Sequence, residues 1–283
     1  MTTIYQKQLT YVFDRPIEEP AWYWQLLDEE TPFGEEEDPL IAFEFFEKLF
    51  VQPAVDLAPY SNSQIGIGLT YLFDGNACNL THGFKAAPVP YERKERALRA
   101  LFSLFREIFE PRCPQKIVSG SQEKSSPLTY ICYMFWDVCP LSDWIKYDNA
   151  EQINLSFFAN LTPEDLEGMQ LPESILENLQ KQLAQTKVEI KNPEDIVAHV
   201  KRQFQNKDAE TSGYYEAIAN VMSRCLELSN PACVESGLHG LGHLATFQSA
   251  IAVPIIDSYL KNRKKQPEAL VNYAKMARTG MIL

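Results

Sequence analysis

Near the end of the chain the sequence reads ESGLHGLGHL, Glu235 to Leu244, which sets a glutamate and two histidines at four-residue spacing. On a helix, residues four apart lie about 6 Å apart along the axis, so His239 and His243 can share one ion. Glu235 and His243 are eight apart, about 12 Å, and cannot both bind it. Zinc needs three or four ligands, so a centre here must draw others from elsewhere; His82, His199 and Asp257 are candidates without diagnostic spacing. Gly240 follows His239 where metalloprotease helices carry their glutamate base. The chemistry open to this stretch is metal-dependent hydrolysis through His239 and His243, with Glu235 as the third metal candidate.

The same stretch has a plainer reading. At about 100° per residue, Val234, Leu238, Leu241 and Ala245 form one apolar stripe, and Glu235, His239 and His243 stack nearly opposite. They therefore face water, another layer or a ligand. Each interior glycine costs a helix about 1 kcal/mol relative to alanine, which Gly237, Gly240 and Gly242 recover if a neighbouring helix approaches closely. The histidines would then hydrogen-bond an adjacent turn or a carboxylate such as Glu235.

Elsewhere, the segment DEETPFGEEED places seven carboxylates in eleven positions, Asp28, Glu29, Glu30, Glu35, Glu36, Glu37 and Asp38. It lacks the residue order of a calcium loop, and is read as a solvated run or a docking face for a basic partner, with Glu35, Glu36, Glu37 and Asp38 as the contact residues. Six cysteines, Cys78, Cys113, Cys132, Cys139, Cys225 and Cys233, contain no C-x-x-C pair and are expected to be buried free thiols. Trp22, Tyr23 and Trp24 are expected in the core or beside a helix start. No nucleophile elbow, phosphate loop or dinucleotide fingerprint occurs, and no cofactor is expected.

These groups need helices to position them. A buried helix is expected over DPLIAFEFFEKLF, with Asp38 as cap, and another over SNSQIGIGLTYLF in spite of Gly66 and Gly68. Apolar residues at helical spacing run from Tyr91 to Phe109, with Pro111 as the stop, and EEPAWYWQLLDEE can begin a helix at Pro20. KIVSGSQEKSSP reads as a flexible loop, and LTYICYMFWDVCPLSDWI, the most apolar block, as the central buried helix before Pro140. Helix starts recur at TPEDLEGM, PESILENLQKQL and NPEDIVAHVKRQF, and four more helical patterns fill the last ninety residues. Only IYQKQLTYVF, near the start, is a candidate strand.

The fold class is therefore all-α, an antiparallel helical bundle read as one domain over 1–283 with a soft seam near 161–193, dividing it into 1–160 and 194–283. In the last third, NPACVESGLHGLGHL, a short turn and VPIIDSYLKN resemble the helix pairs of HEAT and armadillo repeats, with Asp257 and Leu260 at the acidic and apolar places. The resemblance implies a stacked superhelical scaffold with a concave surface and implies no reaction. A formal net charge of -12 argues against nucleic acid and for a basic or neutral protein partner. No apolar run reaches membrane-spanning length, and the first twenty residues lack the pattern of a signal peptide, so a soluble cytoplasmic protein is expected. The leading functional expectation is a non-enzymatic binding or scaffold module, with an acidic inhibitor of immunity type as one form of it; the alternative is the hydrolase.

Overall fold

The structure is a computed structural model that describes residues 3–25, 31–34, 38–119, 126–144, 208–262 and 266–282. Chain contacts divide it into two compact units, Met1–Trp144 with Ser212–Leu283, and Ile145–Thr211. Of the second unit only 208–211 are described, where the Thr211 N–H donates to Asp208 Oδ1 at 2.7 Å. The seam at 161–193 and the helix starts expected between 161 and 204 lie outside the described residues.

The first unit is helical, and the described residues contain no strand. Its elements are α1 (Ile4–Phe13), α2 (Pro39–Leu49), α3 (Pro53–Asp56), α4 (Asn62–Phe73), α5 (Leu80–Ala86), α6 (Tyr91–Ala100), α7 (Phe102–Leu104), α8 (Glu110–Arg112) and α9 (Pro127–Val138). After α9 come α10 (Ala209–Cys225), α11 (Pro231–Phe247), α12 (Ser249–Lys261) and α13 (Glu268–Ala277). No helix among the described residues is long and apolar enough to cross a membrane.

Local chemistry explains where expectation and structure part. Ile4–Phe13 is a helix rather than a strand because Thr3 and Gln6 close a capping box, Thr3 Oγ1 accepting from the Gln6 N–H at 3.2 Å and Gln6 Oε1 from the Thr3 N–H at 3.0 Å. Leu9, Val12 and Phe13 then fall on its buried face. Trp22–Trp24 forms a single 3-10 turn in place of a longer helix from Pro20. The helix begun at Tyr91 runs past Pro111 to Arg112, through a π-helical turn at Phe105–Phe109. Proline cannot return the N–H that a regular ladder needs, and the widened turn absorbs the mismatch just before it.

The centre of the unit is α9, which packs against α4 on one side and α11 on the other. Phe135 and Trp136 are its core anchors, Phe135 4.7 Å from Phe73 between ring centroids and Trp136 stacked on Phe105 at 5.8 Å. Small residues let the backbones close on it. A methyl group at Gly66 of α4 would lie 2.2 Å from the Leu128 nitrogen, and one at Gly240 of α11 would lie 2.6 Å from the Trp136 ring. On α11 every residue from Ala232 to Gly242 is buried, because α9, α12 and α13 all pack against it.

The contact at Gly66 yields a test in which two effects have opposite signs. Helix propensity alone makes Gly66→Ala stabilising by about 1 kcal/mol. Backbone overlap dominates instead, and we expect urea denaturation to show a net loss of about 1–3 kcal/mol. A rise in the urea midpoint would show that α4 and α9 are not held backbone to backbone.

Candidate metal centre

Asp137 is the penultimate residue of α9, and His239 and His243 occupy consecutive turns of α11. The packing of these helices through Gly240 and Trp136 brings the three side chains together. His239 Nε2 lies 2.6 Å from Asp137 Oδ2, His243 Nε2 pairs with Asp137 Oδ1, and the two Nε2 atoms are 3.0 Å apart. All three ligand atoms fall within 4.8 Å of one another, and among the described residues no other such group of three metal-ligating side chains occurs. His239 is sealed, with 1% of its side chain exposed, while Asp137 keeps 21% and His243 40%, so the cluster opens to solvent on one side.

A shell of tyrosines fixes His239. The Tyr273 hydroxyl, on α13, is hydrogen-bonded to Nδ1, and the Tyr133 hydroxyl, one turn before Asp137, is 3.3 Å from that of Tyr273. The Tyr133 ring also lies 4.8 Å from the imidazole between centroids. Burial, then the contact with Tyr133, raises the Tyr273 pKa, so Tyr273 remains a neutral phenol. Burial opposes ionisation of Asp137, but the hydrogen bonds and charges of His239 and His243 outweigh it and hold the carboxyl below its usual range. Asp137 is therefore a carboxylate at neutral pH.

The hydrogen bonds allow more than one protonation state. When the Tyr273 O–H donates to Nδ1, the Nε2–H of His239 donates to Asp137, and the cluster stands as a hydrogen-bonded triad. When Nδ1–H donates to Tyr273, the Nε2 lone pair faces the carboxylate. Two electron-rich atoms at that distance need a cation between them, either a proton on Nε2, which makes His239 an imidazolium, or a metal ion. Two imidazole nitrogens and one carboxylate oxygen suit zinc or another first-row divalent ion. Donors held at about 2.1 Å lie about 3.4 Å apart at tetrahedral angles and about 3.0 Å apart at octahedral ones. The 3.0 Å between the two Nε2 atoms matches the octahedral spacing, and the 2.6 Å from His239 to Asp137 is a hydrogen-bond distance.

Of the sequence candidates, His239 and His243 meet in this cluster and Glu235 does not. Its carboxylate, fully buried, accepts the Val118 N–H at 2.5 Å and the Ser119 N–H at 2.9 Å, and so holds the described start of the loop expected to be flexible. Neither histidine bonds it. Asp257 lies on α12 in an exposed pair with Arg278 at 2.6 Å, His82 lies on α5 packed against α2, and His199 is outside the described residues. The third member of the cluster, Asp137, is absent from the sequence candidates. Its sequence signal is slight: it is the lone acid in YICYMFWDVC, the most apolar block of the chain.

In the acidic run, Asp38 caps α2, accepting from the Leu40 and Ile41 N–H groups at 2.8 and 3.2 Å, while Glu35, Glu36 and Glu37 lie outside the described residues. All six cysteines are free and buried, as expected. Searches against protein-family models, curated proteins and solved structures found no match to the chain.

The separate role of Glu235 can be checked. Glu235→Gln keeps the size but leaves one acceptor too few for two part-buried backbone donors, at a cost of about 1–3 kcal/mol. Hydrogen exchange at the Val118 and Ser119 amides should accelerate by at least tenfold. Unchanged exchange would mean that the carboxylate does not hold the loop.

Proposed function

We propose that the protein is a metal-dependent hydrolase whose divalent ion is held by His239, His243 and Asp137. The observation that supports this reading is the convergence of the two Nε2 atoms on the ionised Asp137 at the solvent-facing end of the α9–α11 seam. Three protein ligands on one side leave positions free for water and substrate, as catalytic rather than structural sites require. A bound ion there would supply a water acidified to a pKa of about 7 and Lewis-acid activation of an electrophile.

The chain's own residues do the rest. By accepting from Nδ1–H, Tyr273 would hold the His239 tautomer that keeps a lone pair at Nε2. Burial of that imidazole under Tyr133 and Tyr273 keeps it from turning away. His243, on the exposed side, borders the approach to the open positions.

Untagged protein should take up close to one equivalent of zinc or manganese by calorimetry and elemental analysis. Asp137→Asn and His243→Ala should each weaken binding at least 100-fold, and Tyr273→Phe about 10- to 100-fold, the usual effect of losing an outer partner. Hydrolysis of activated esters or phosphodiesters should vanish with chelator and return with metal. Stoichiometric binding without any such hydrolysis would reject the enzyme; absence of metal, with the variants folding normally, would reject the centre.

The formal charge of -12 favours a second reading, an acidic binding module for a basic or neutral partner. The HEAT-type stacking expected of the last third belongs to that reading. Its test is affinity capture with a Glu35→Gln, Glu36→Gln, Glu37→Gln variant: loss of one basic partner supports it, and an unchanged set of partners removes the acidic run from consideration.

A further inference from the structure

The end of α10 and one face of α12 border a solvent-open cleft of about 450 Å³, within the size range of small-molecule sites. Ser223 of α10 lines it together with Leu226 and Glu227, which follow that helix. From α12 come Ile255, Ser258, Tyr259 and Asn262, spaced as one face of a helix. The cleft belongs wholly to the first unit.

Two observations bear on what it can hold. The first is Tyr259, a residue only 7% exposed, whose hydroxyl is closed to bulk water and has no hydrogen-bond partner among the described residues. Burial pushes its pKa up to about 12, so it is a neutral phenol that can donate one hydrogen bond and accept others. Buried polar groups are ordinarily paired, and the missing partner is one that an occupant of the cleft can bring. The second observation is the sign of the local field. Ser223 lies in the last turn of α10, and Ser258 and Tyr259 in that of α12, which Asn262 closes by donating its N–H to the Tyr259 carbonyl at 3.1 Å. Each of these ends carries the negative pole of its helix dipole. Glu227 is the only charged lining side chain among the described residues, and the formal net charge of the chain is -12.

Two negative helix ends and a carboxylate, set beside the apolar surfaces of Leu226, Pro254 and Ile255, suit a positive charge carried on an apolar body. We propose that the cleft between α10 and α12 binds a small organic amine, its ammonium held by Glu227 and the Tyr259 hydroxyl and its body laid on Leu226 and Ile255. No residue of the metal cluster lines the cleft, so the amine site does not depend on the metal reading. Four basic residues adjoin it in sequence. Lys261 does not line it, and Arg263, Lys264 and Lys265 lie outside the described residues, so anionic probes test the opposite sign.

The experiment titrates the isotope-labelled full chain with phenethylammonium, and in parallel with phenylethanol, phenylpropionate and inorganic phosphate, following backbone amides by NMR. Phenethylammonium should shift the Ser223, Glu227, Ser258 and Asn262 amides with a Kd of about 1 mM, ordinary for a ligand of its size. The alcohol and both anions should bind at least fivefold more weakly. Glu227→Gln should weaken the amine at least threefold and leave the alcohol unchanged. Tyr259→Phe should weaken it at least fivefold while the urea midpoint of the free protein stays level or rises, because the substitution breaks no bond. Absence of shifts at those four amides in about 20 mM amine, or binding of the alcohol or an anion as tight as that of the amine, would overturn the site. So would full amine affinity in both variants, or a lowered urea midpoint in Tyr259→Phe, which would show that the hydroxyl already has a partner within the chain.

Discussion

The contact of α9 with α11 is the constraint on which the rest of the first unit depends. It exists because Gly240 presents no side chain where the Trp136 ring lies, so the helix surfaces can meet over a row of apolar groups. Dispersion between closely packed surfaces is small for each pair of atoms and large over a whole helix. That gain offsets the propensity lost to three glycines and also sets the distance between side chains at the solvent end. Were α11 held away by the width of one methyl group, His239 would no longer reach Asp137 while keeping its bond to Tyr273.

Three polar groups buried along α11 are each matched to a partner on a different element, whereas the Ser236 hydroxyl finds none among the described residues. Asn230 caps the helix and donates to the Glu110 and Cys113 carbonyl oxygens at 3.0 and 2.9 Å. Glu235 binds loop backbone, and His239 is fixed between α9 and α13. The three therefore specify register: sliding α11 by one turn would leave several buried polar groups without partners, at about 1–3 kcal/mol for each. Specificity of this kind matters most at Asp137, His239 and His243, where a shift of about 1 Å changes what the cluster can bind.

Much of this was legible in the sequence, within limits that have physical causes. Periodicity and capping signals disclosed the helices, including α11 from its Asn-Pro start. The separation of Glu235 from His243 correctly kept those two from sharing one ion. A helical wheel, however, sorts residues around one helix and knows nothing of a second layer on the polar side. His239, placed opposite the apolar stripe, is buried because α13 brings Tyr273 to that side. Asp137 was hidden for a related reason: a lone acid in an apolar helix acquires meaning only from residues about a hundred positions later. The start of α1 was misleading because its strand-like composition is overruled by the reciprocal bonds of Thr3 and Gln6.

The order of those positions along the chain bears on how the protein comes into being. During synthesis α9 leaves the ribosome long before α11 and α13, and the stretch 145–207 must follow it first. Until then Phe135 and Trp136 have α4 and Phe105 to pack on, but the side of α9 that will meet α11 has no cover, and Asp137 has no imidazole to face. Loop closure over such a span is entropically slow, and the exposed apolar side is meanwhile open to aggregation. Asp137, His239 and His243 come together only after α11 has been made, so an ion held as proposed above would bind after that point in synthesis.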